Sequence, residues 1–405
     1  TMQYYQLFLP LAILLVLSKI LMKACGKIGL PSVIGMLLAG VFMGFIKYIP
    51  GQTVFTDVTM TGFGFIAKIG VVLILFSSGL ETELSKIKKI GGSALIITCA
   101  GVLVPMALGF VVAVLFHGGF AGLTKDTALT CLFYGTILTA TSVSISVQTL
   151  RELGKLDTTV GTTIVTAAII DDILGIVVLS FVLAMKDEST GASPLIIVLK
   201  TIAYFAVISV IAFVASKAFK ALDKRFPHHR LIPISSLALC FLVAYISERY
   251  FGIADITGAY VVGLILSTNS DSKYIDAKAD ILGYMIFVPV FFGNIGISTE
   301  FSSLNMDILF FGLLFVLVGM VGKVVGCGLT ARACGYNTRD SLKIGVGMMA
   351  RAEVALVTAQ KGVEFGVIDN SIMPFIVILI IITSFATPII LQNLYKSEKN
   401  TEVKA

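Results

Sequence analysis

Two adjacent carboxylates, Asp171 and Asp172, sit near the middle of an apolar run that starts near Thr158 and reaches Met185. Such a run is long enough to cross a bilayer, which needs about 20 apolar residues. Its middle then lies near the bilayer midplane, where a carboxylate costs roughly 2.5–3.5 kcal/mol on insertion scales. Adjacent helix positions point about 100° apart, so the two acids cannot share one partner face. One can face a fixed positive charge while the other faces a water-filled path. Acids buried in membrane segments mark ion or proton pathways. The plainer alternative is a pair of structural carboxylates tied to neighbouring helices.

A further buried charge, Lys323, stands in Gly319-Met-Val-Gly-Lys-Val-Val-Gly326. Its glycines let neighbouring backbones approach closely, and its long apolar flanks make snorkelling to an interface strained. Two other stretches are polar in the middle of apolar runs: Leu138-Thr-Ala-Thr-Ser-Val-Ser-Ile-Ser146 and Gly345-Val-Gly-Met-Met-Ala-Arg-Ala-Glu353. A helix broken at such a place exposes carbonyls and half-helix ends that can bind an ion, provided they line a cavity. The competing reading is an unbroken helix whose Ser and Thr bond back one turn. Arg351 and Glu353 need partners and read as ion-pair formers that hold the crossover. Lys68 is close to the start of its apolar run and reads as a snorkelling lysine.

These residues need membrane-spanning elements to position them, and the composition supplies them. Hydrophobic residues make up 57% of the chain and charged residues 13%, which is membrane-protein composition. Apolar runs recur from end to end and leave no room for a sizeable soluble domain. The modest net charge of +6 fits basic cytoplasmic loops and gives no case for nucleic acid. The N-terminus lacks the basic region and cleavage site of a signal peptide, so the first run reads as a retained helix. The six cysteines include no C-x-x-C pair, and most lie in apolar runs as packing thiols. His117, His228 and His229 all fall in loops, so no embedded imidazole is available as proton carrier or metal ligand. An enzyme is the least favoured class, because no nucleophile–base pair or metal-ligand cluster is visible.

Thirteen hydrophobic segments can be drawn, at 5–23, 31–47, 63–80, 91–115, 127–150, 158–185, 197–220, 232–250, 254–268, 279–299, 306–331, 339–361 and 371–394. Lys and Arg concentrate in alternate loops, as at Lys86, Lys88 and Lys89, and at Lys217, Lys220, Lys224, Arg225 and Arg230. Basic loops stay cytoplasmic, so the N-terminus is expected outside and the C-terminus inside. The third segment ends in Gly79-Leu-Glu-Thr-Glu-Leu84 and the tenth in Gly296-Ile-Ser-Thr-Glu-Phe301. The segments just before them echo each other as Gly35-x-x-x-x-Gly40 and Gly258-x-x-x-x-Gly263. Segments one to six therefore repeat as eight to thirteen, in opposite orientation, with segment seven as linker. Inverted repeats characterise many secondary transporters, with the site at the midplane. The fold class expected is an all-α polytopic membrane protein of about thirteen transmembrane helices, as two inverted repeats with broken crossover helices.

The Asp171-Asp172 pair and the Thr139-Ala-Thr-Ser142 crossover resemble the monovalent cation:proton antiporter-2 family, on the side of the bacterial Na⁺/H⁺ antiporters. Gly258-Ala-Tyr-Val-Val-Gly263, Phe291-Phe-Gly-Asn-Ile-Gly296, Lys323 and Arg351-Ala-Glu353 match as well. The resemblance covers essentially the whole chain, read as one membrane domain over 1–405. It implies a homodimer whose dimerisation and scaffold part is 1–90 and 232–303. It also implies an ion-transporting core at 91–190 and 304–395, with 191–231 as linker helix. It implies a pair between Asp171 and Lys323, and a bacterial inner (cytoplasmic) membrane location. Relatives gated by glutathione or nucleotides carry a soluble regulatory domain after the last helix. This sequence stops at Ala405, so no C-terminal regulatory domain is expected. The Asp-Asp pairing departs from the Asn-Asp of electroneutral relatives, which together with Lys323 favours electrogenic exchange.

The function expected is exchange of cytoplasmic Na⁺, or Li⁺, for external protons by alternating access. A small hard cation needs oxygen ligands. Asp171 and Asp172 supply carboxylates, and Thr141 and Ser142 supply hydroxyl or backbone oxygen. Burial favours the neutral carboxyl and a nearby cation favours the charged one. Asp172 can thus hold a proton or Na⁺ but not both, and this exclusion couples the fluxes. No cofactor is expected; Na⁺ and H⁺ are cargo. A K⁺/H⁺ antiporter is the nearest alternative, and a gated cation channel the alternative from a different class.

Overall fold

Backbone polar groups in hydrocarbon must be satisfied within the segment itself, so long apolar runs fold as helices. The computed structural model describes residues 4–27, 32–82, 84–156, 158–186, 194–225, 229–298 and 306–402. Their regular elements are all helical: α1 (Phe8–Lys27), α2 (Ser32–Gly44), α3 (Asp57–Glu81), α4 (Leu84–Phe116), α5 (Lys125–Ile137), α6 (Val143–Glu152), α7 (Thr159–Ala184) and α8 (Pro194–Arg225). There follow α9 (Leu231–Phe251), α10 (Asp255–Leu266), α11 (Ser272–Leu282), α12 (Val288–Ser298), α13 (Met306–Ala333), α14 (Thr338–Gly347), α15 (Glu353–Glu364) and α16 (Met373–Glu402). A π-helical turn, Gly283–Phe287, joins α11 to α12.

Local chemistry places several of the boundaries. The hydroxyl of Thr56 accepts from the Thr59 N–H at 3.3 Å and caps α3. Thr124 does the same for α5, and Asn337 for α14. Such side chains satisfy N–H groups that the first helical turn leaves unpaired. Gly252 ends α9 in the left-handed region at φ +66°, where a Cβ is penalised.

Among the described residues, nine helices are long and apolar enough to cross a membrane, where the sequence reading expects about thirteen crossings. Ser32–Tyr48 and Asp255–Leu266 are apolar but shorter. The fifth and twelfth hydrophobic runs are each split in two. The third run begins earlier than its apolar core, at Asp57, because the capped polar turn is also helical. Lys68 is therefore an exposed mid-helix residue of α3, not one near the start of its segment.

The chain divides into two units: Thr1–Leu84 with Leu183–Thr299, and Ser85–Val182 with Glu300–Ala405. In the first unit α3 packs on α10, α2 on α12, α1 on α2, α9 on α10, and α8 on α9. The glycines that echo each other in sequence make the closest of these approaches. A Cβ on Gly79 would run into Tyr260 O and lie 2.8 Å from Leu264 N, the residues three before and one after Gly263. A Cβ on Gly296 would run into Leu37 O and lie 2.7 Å from Val41 N, three before and one after Gly40. Gly35 likewise abuts α1 at Leu21 and Met22, and Gly258 abuts α9 at Ala244 and Ser247. The two repeats thus make the same backbone contacts at the same offsets. Small residues at such crossings let membrane helices gain van der Waals contact that lipid cannot supply.

Gly79→Ala should lower the melting temperature of the purified protein, because overpacking at a backbone contact typically costs about 1–3 kcal/mol. Gly64→Ala on the same helix meets nothing within 4 Å and should leave the melting temperature unchanged or raise it. Equal melting of the two variants in detergent would refute the close-crossing account.

Candidate functional site

All the site residues that can be described belong to the second unit. Asp171 is the thirteenth of the 26 residues of α7, a helix about 39 Å long at 1.5 Å per residue. It is buried, and its neighbour Asp172 is half-buried. Lys323, wholly buried on α13, donates from Nζ to Asp171 Oδ1 as a salt bridge. Asp171 Oδ2 has no hydrogen-bond partner among the described residues. The two acids are therefore unequal: one is committed to an ammonium and the other has partial access to the surroundings of the unit.

The two polar stretches are breaks. Between α5 and α6 the chain is non-helical over Leu138–Ser142, and between α14 and α15 over Met348–Ala352. The breaks satisfy each other. Ser142 N–H donates to Ala350 O at 2.8 Å. The Thr141 hydroxyl donates to Met348 O at 3.4 Å, and Ser146 Oγ to Gly347 O. In the reverse direction, the Arg351 guanidinium donates to Ala140 O, to Leu138 O at 2.6 Å and to Thr141 Oγ1 at 3.2 Å. It also reaches Gly319 O on α13 at 3.2 Å. Arg351 is wholly buried. Its charge sits on the carbonyls that follow the C-terminus of α5, the end at which a helix dipole favours a cation.

The sequence reading expects Arg351 to form an ion pair. Its described partners are instead carbonyl oxygens and a hydroxyl, because five N–H donors in a fork suit several acceptors at once. The Glu353 side chain lies outside the described residues; its backbone opens α15. Thr141 and Ser142 also differ. Thr141 Oγ1 is engaged on two sides, whereas Ser142 Oγ is buried with no hydrogen-bond partner among the described residues.

Sequence reasoning missed Thr383, fully buried on α16. Its hydroxyl accepts from the Arg351 backbone N–H at 3.1 Å and so pairs a donor that the break frees. The signal was present in Thr383-Ser384 and Thr387, hydroxyls in an otherwise apolar run. Thr98 on α4 was missed too; its hydroxyl shares its one proton between Ala94 O in its own helix at 2.8 Å and Ala167 O at 3.0 Å, one turn ahead of Asp171. Among the described residues no three His, Cys, Asp or Glu side chains gather as a metal site. The oxygens at hand are carboxylate, hydroxyl and carbonyl, a hard donor set of the kind that suits small hard cations.

An all-helical membrane fold, two broken helices and a buried acid–lysine pair define a transporter-like site. Residues 12–396 match the family described as sodium/hydrogen exchanger, transmembrane, and the chain belongs to that family. It is a multi-pass membrane protein. The chain is 32% identical to the Na(+)/H(+)-K(+) antiporter GerN of Bacillus cereus, over 99% of each protein. It is 31% identical to the Na(+)/H(+) antiporter of Enterococcus hirae, over 95% of this chain and 97% of that one. The solved structure of the sodium proton antiporter MjNhaP1 from Methanocaldococcus jannaschii shares the fold, with a TM-score of 0.72 over 96% of both chains at 20% identity.

Arg351→Leu should destabilise the protein far more than Arg249→Leu, whose side chain is exposed. The first variant leaves several buried carbonyls unpaired, each worth about 1–3 kcal/mol. Melting in detergent compares the two, and equal melting temperatures would remove Arg351 from the support of the crossover.

Proposed function

We propose that this protein exchanges Na⁺ for protons at Asp171 and Asp172 by alternating access, with net movement of charge. The observation that carries the reading is the buried Lys323–Asp171 pair beside a half-buried Asp172, in the middle of a membrane helix. A pair as dry as this is a poor device for stability alone, since a hydrophobic replacement is often as good or better. Membership of the exchanger family supports the same reading.

In the proton-loaded state Asp172 is neutral, and Lys323 and Asp171 cancel. Na⁺ enters against Asp172 and takes Asp171 from Lys323, with Ser142 Oγ and carbonyl oxygens of the break as further ligands. Asp172 loses its proton to make the site. Lys323, stripped of its counter-ion in a dry interior, gives up a proton as well, because an uncompensated buried charge costs several kcal/mol. Two protons then leave for one Na⁺, and one net charge moves per cycle. Arg351 keeps its carbonyl partners throughout and holds the break in shape. The second unit carries the ion in this account. The first is the scaffold and carries the dimer contact, with the N-terminus outside and the C-terminus in the cytoplasm of a bacterial inner membrane. Li⁺ fits the same oxygen set. A second reading, in which K⁺ takes part, is favoured by the likeness to GerN, a Na(+)/H(+)-K(+) antiporter.

Asp172→Asn should abolish proton release on Na⁺ addition in proteoliposomes loaded with a pH-sensitive dye, since an amide carries neither the proton nor the charge that neutralises Na⁺. Ser142→Ala should raise the apparent KM for Na⁺ with little loss of maximal rate. Wild-type dye responses from Asp172→Asn would sink the site; scanning Li⁺, Na⁺ and K⁺ in the same assay separates the cation readings.

Clamping the membrane potential with valinomycin and K⁺ should change the rate of wild-type exchange. Lys323→Gln, if active, should respond less or not at all. Indifference of the wild type to the clamp would make transport electroneutral and Lys323 a structural counter-ion.

A further inference from the structure

Both helices of the buried pair lean on α4, and on one short stretch of it. Thr98 and Gly101 are three residues apart, so they share a face of that helix. Thr98 is fully buried, and its single hydroxyl proton is shared between Ala94 O in its own helix at 2.8 Å and, at 3.0 Å, Ala167 O, the carbonyl that precedes Asp171 by one turn on α7. Gly101 faces α13. A Cβ added there would run into Cys327 Sγ and stand 3.7 Å from Lys323 Nζ and 3.8 Å from Lys323 Cδ. Cys327 is fully buried and lies one turn beyond Lys323. The backbones are held at this distance by two more glycines. A Cβ on Gly322 would lie 3.0 Å from Pro105 Cα, and one on Gly326 would lie 2.9 Å from Ala100 O.

We propose that α4 is the strut that positions the ion pair: Gly101 and Cys327 together form the seat of the Lys323 ammonium, and Thr98 fixes the turn of α7 that presents Asp171. These are positioning residues, since they act on the ion only through Lys323 and Asp171. The inference rests on the proposed function, in which Na⁺ competes with Lys323 for Asp171. A pair held at its best separation makes Na⁺ break a strong contact on entry and lets the contact re-form on release. A pair pushed out of register makes entry easier and release slower.

Gly101→Ala drives a methyl group into the Cys327 sulfur and against the lysine. In proteoliposomes the apparent KM for Na⁺ should fall severalfold and the maximal rate should fall with it. Gly101→Ala/Cys327→Ala restores the lost space and should return both quantities toward wild type. Thr98→Val keeps the shape of the side chain but removes the hydroxyl; it should shift KM in the same direction, and Thr98→Ser should restore it. The Thr98 pair tests the strut even where Gly101→Ala yields no folded protein. An unchanged KM in folded Gly101→Ala and in Thr98→Val overturns the proposal. So does a loss of rate without a KM shift, or a double variant no better than the single one. Lys323→Gln separates the two levels. If it leaves the Na⁺ KM untouched, the coupling role of Lys323 fails. If it shifts KM while Gly101→Ala and Thr98→Val do not, only the strut fails.

Discussion

A helix that breaks inside a bilayer leaves carbonyls and N–H groups without partners, where no water can satisfy them. The chain breaks two helices and lets each break repair the other. Arg351 carries most of the load. One guanidinium answers carbonyls at Leu138, Ala140 and Gly319 and a hydroxyl at Thr141. Thr383 Oγ1 accepts from the Arg351 N–H, and the Ser142 N–H donates to Ala350 O. The crossover can therefore be irregular and still hold a fixed shape. Backbone held in this way keeps its carbonyl and hydroxyl oxygens in place without the melting that a free loop would bring.

Charge follows from the same economy. Two acids and two bases, Asp171, Asp172, Lys323 and Arg351, stand in or beside the middle of one unit. Among the described residues, the Arg351 charge is dispersed over carbonyl dipoles and a hydroxyl. That leaves Lys323 and Asp171 to compensate each other, and Asp172 as the acid with access to its surroundings.

The two units are held by different forces. In the first, glycine crossings bring backbones into contact at α3 with α10 and at α2 with α12. Packing of that sort is short-range and resists sliding. In the second, the structure spends glycines on the approach of α4 to α13, and polar bonds on the crossover. The strut of Thr98 and Gly101 is where the two devices meet: a hydroxyl bond to one helix and a glycine contact with the other.

Much of this was legible in the sequence, because lipid imposes a coarse rule on composition. Apolar runs long enough to span a bilayer, interrupted at matching places in two halves, are visible without coordinates, and so are acids and lysines in the wrong solvent. The echo of Gly35/Gly40 with Gly258/Gly263 was visible too, since glycine in an apolar run has few other uses. The sequence could not say what each polar residue would meet. The fork of Arg351 on carbonyls, the service of Thr383 and the contact of Gly101 with Cys327 join residues tens to hundreds of positions apart. The difference between Thr141, tied on two sides, and Ser142, whose buried Oγ has no hydrogen-bond partner among the described residues, has no trace in residue type. The start of α3 was missed because a capped polar turn looks like a loop until its hydrogen bonds are seen. Sequence determined which groups must be paired or carried through the membrane; only the tertiary structure decided with which partner, because pairing is set by distances that packing alone establishes.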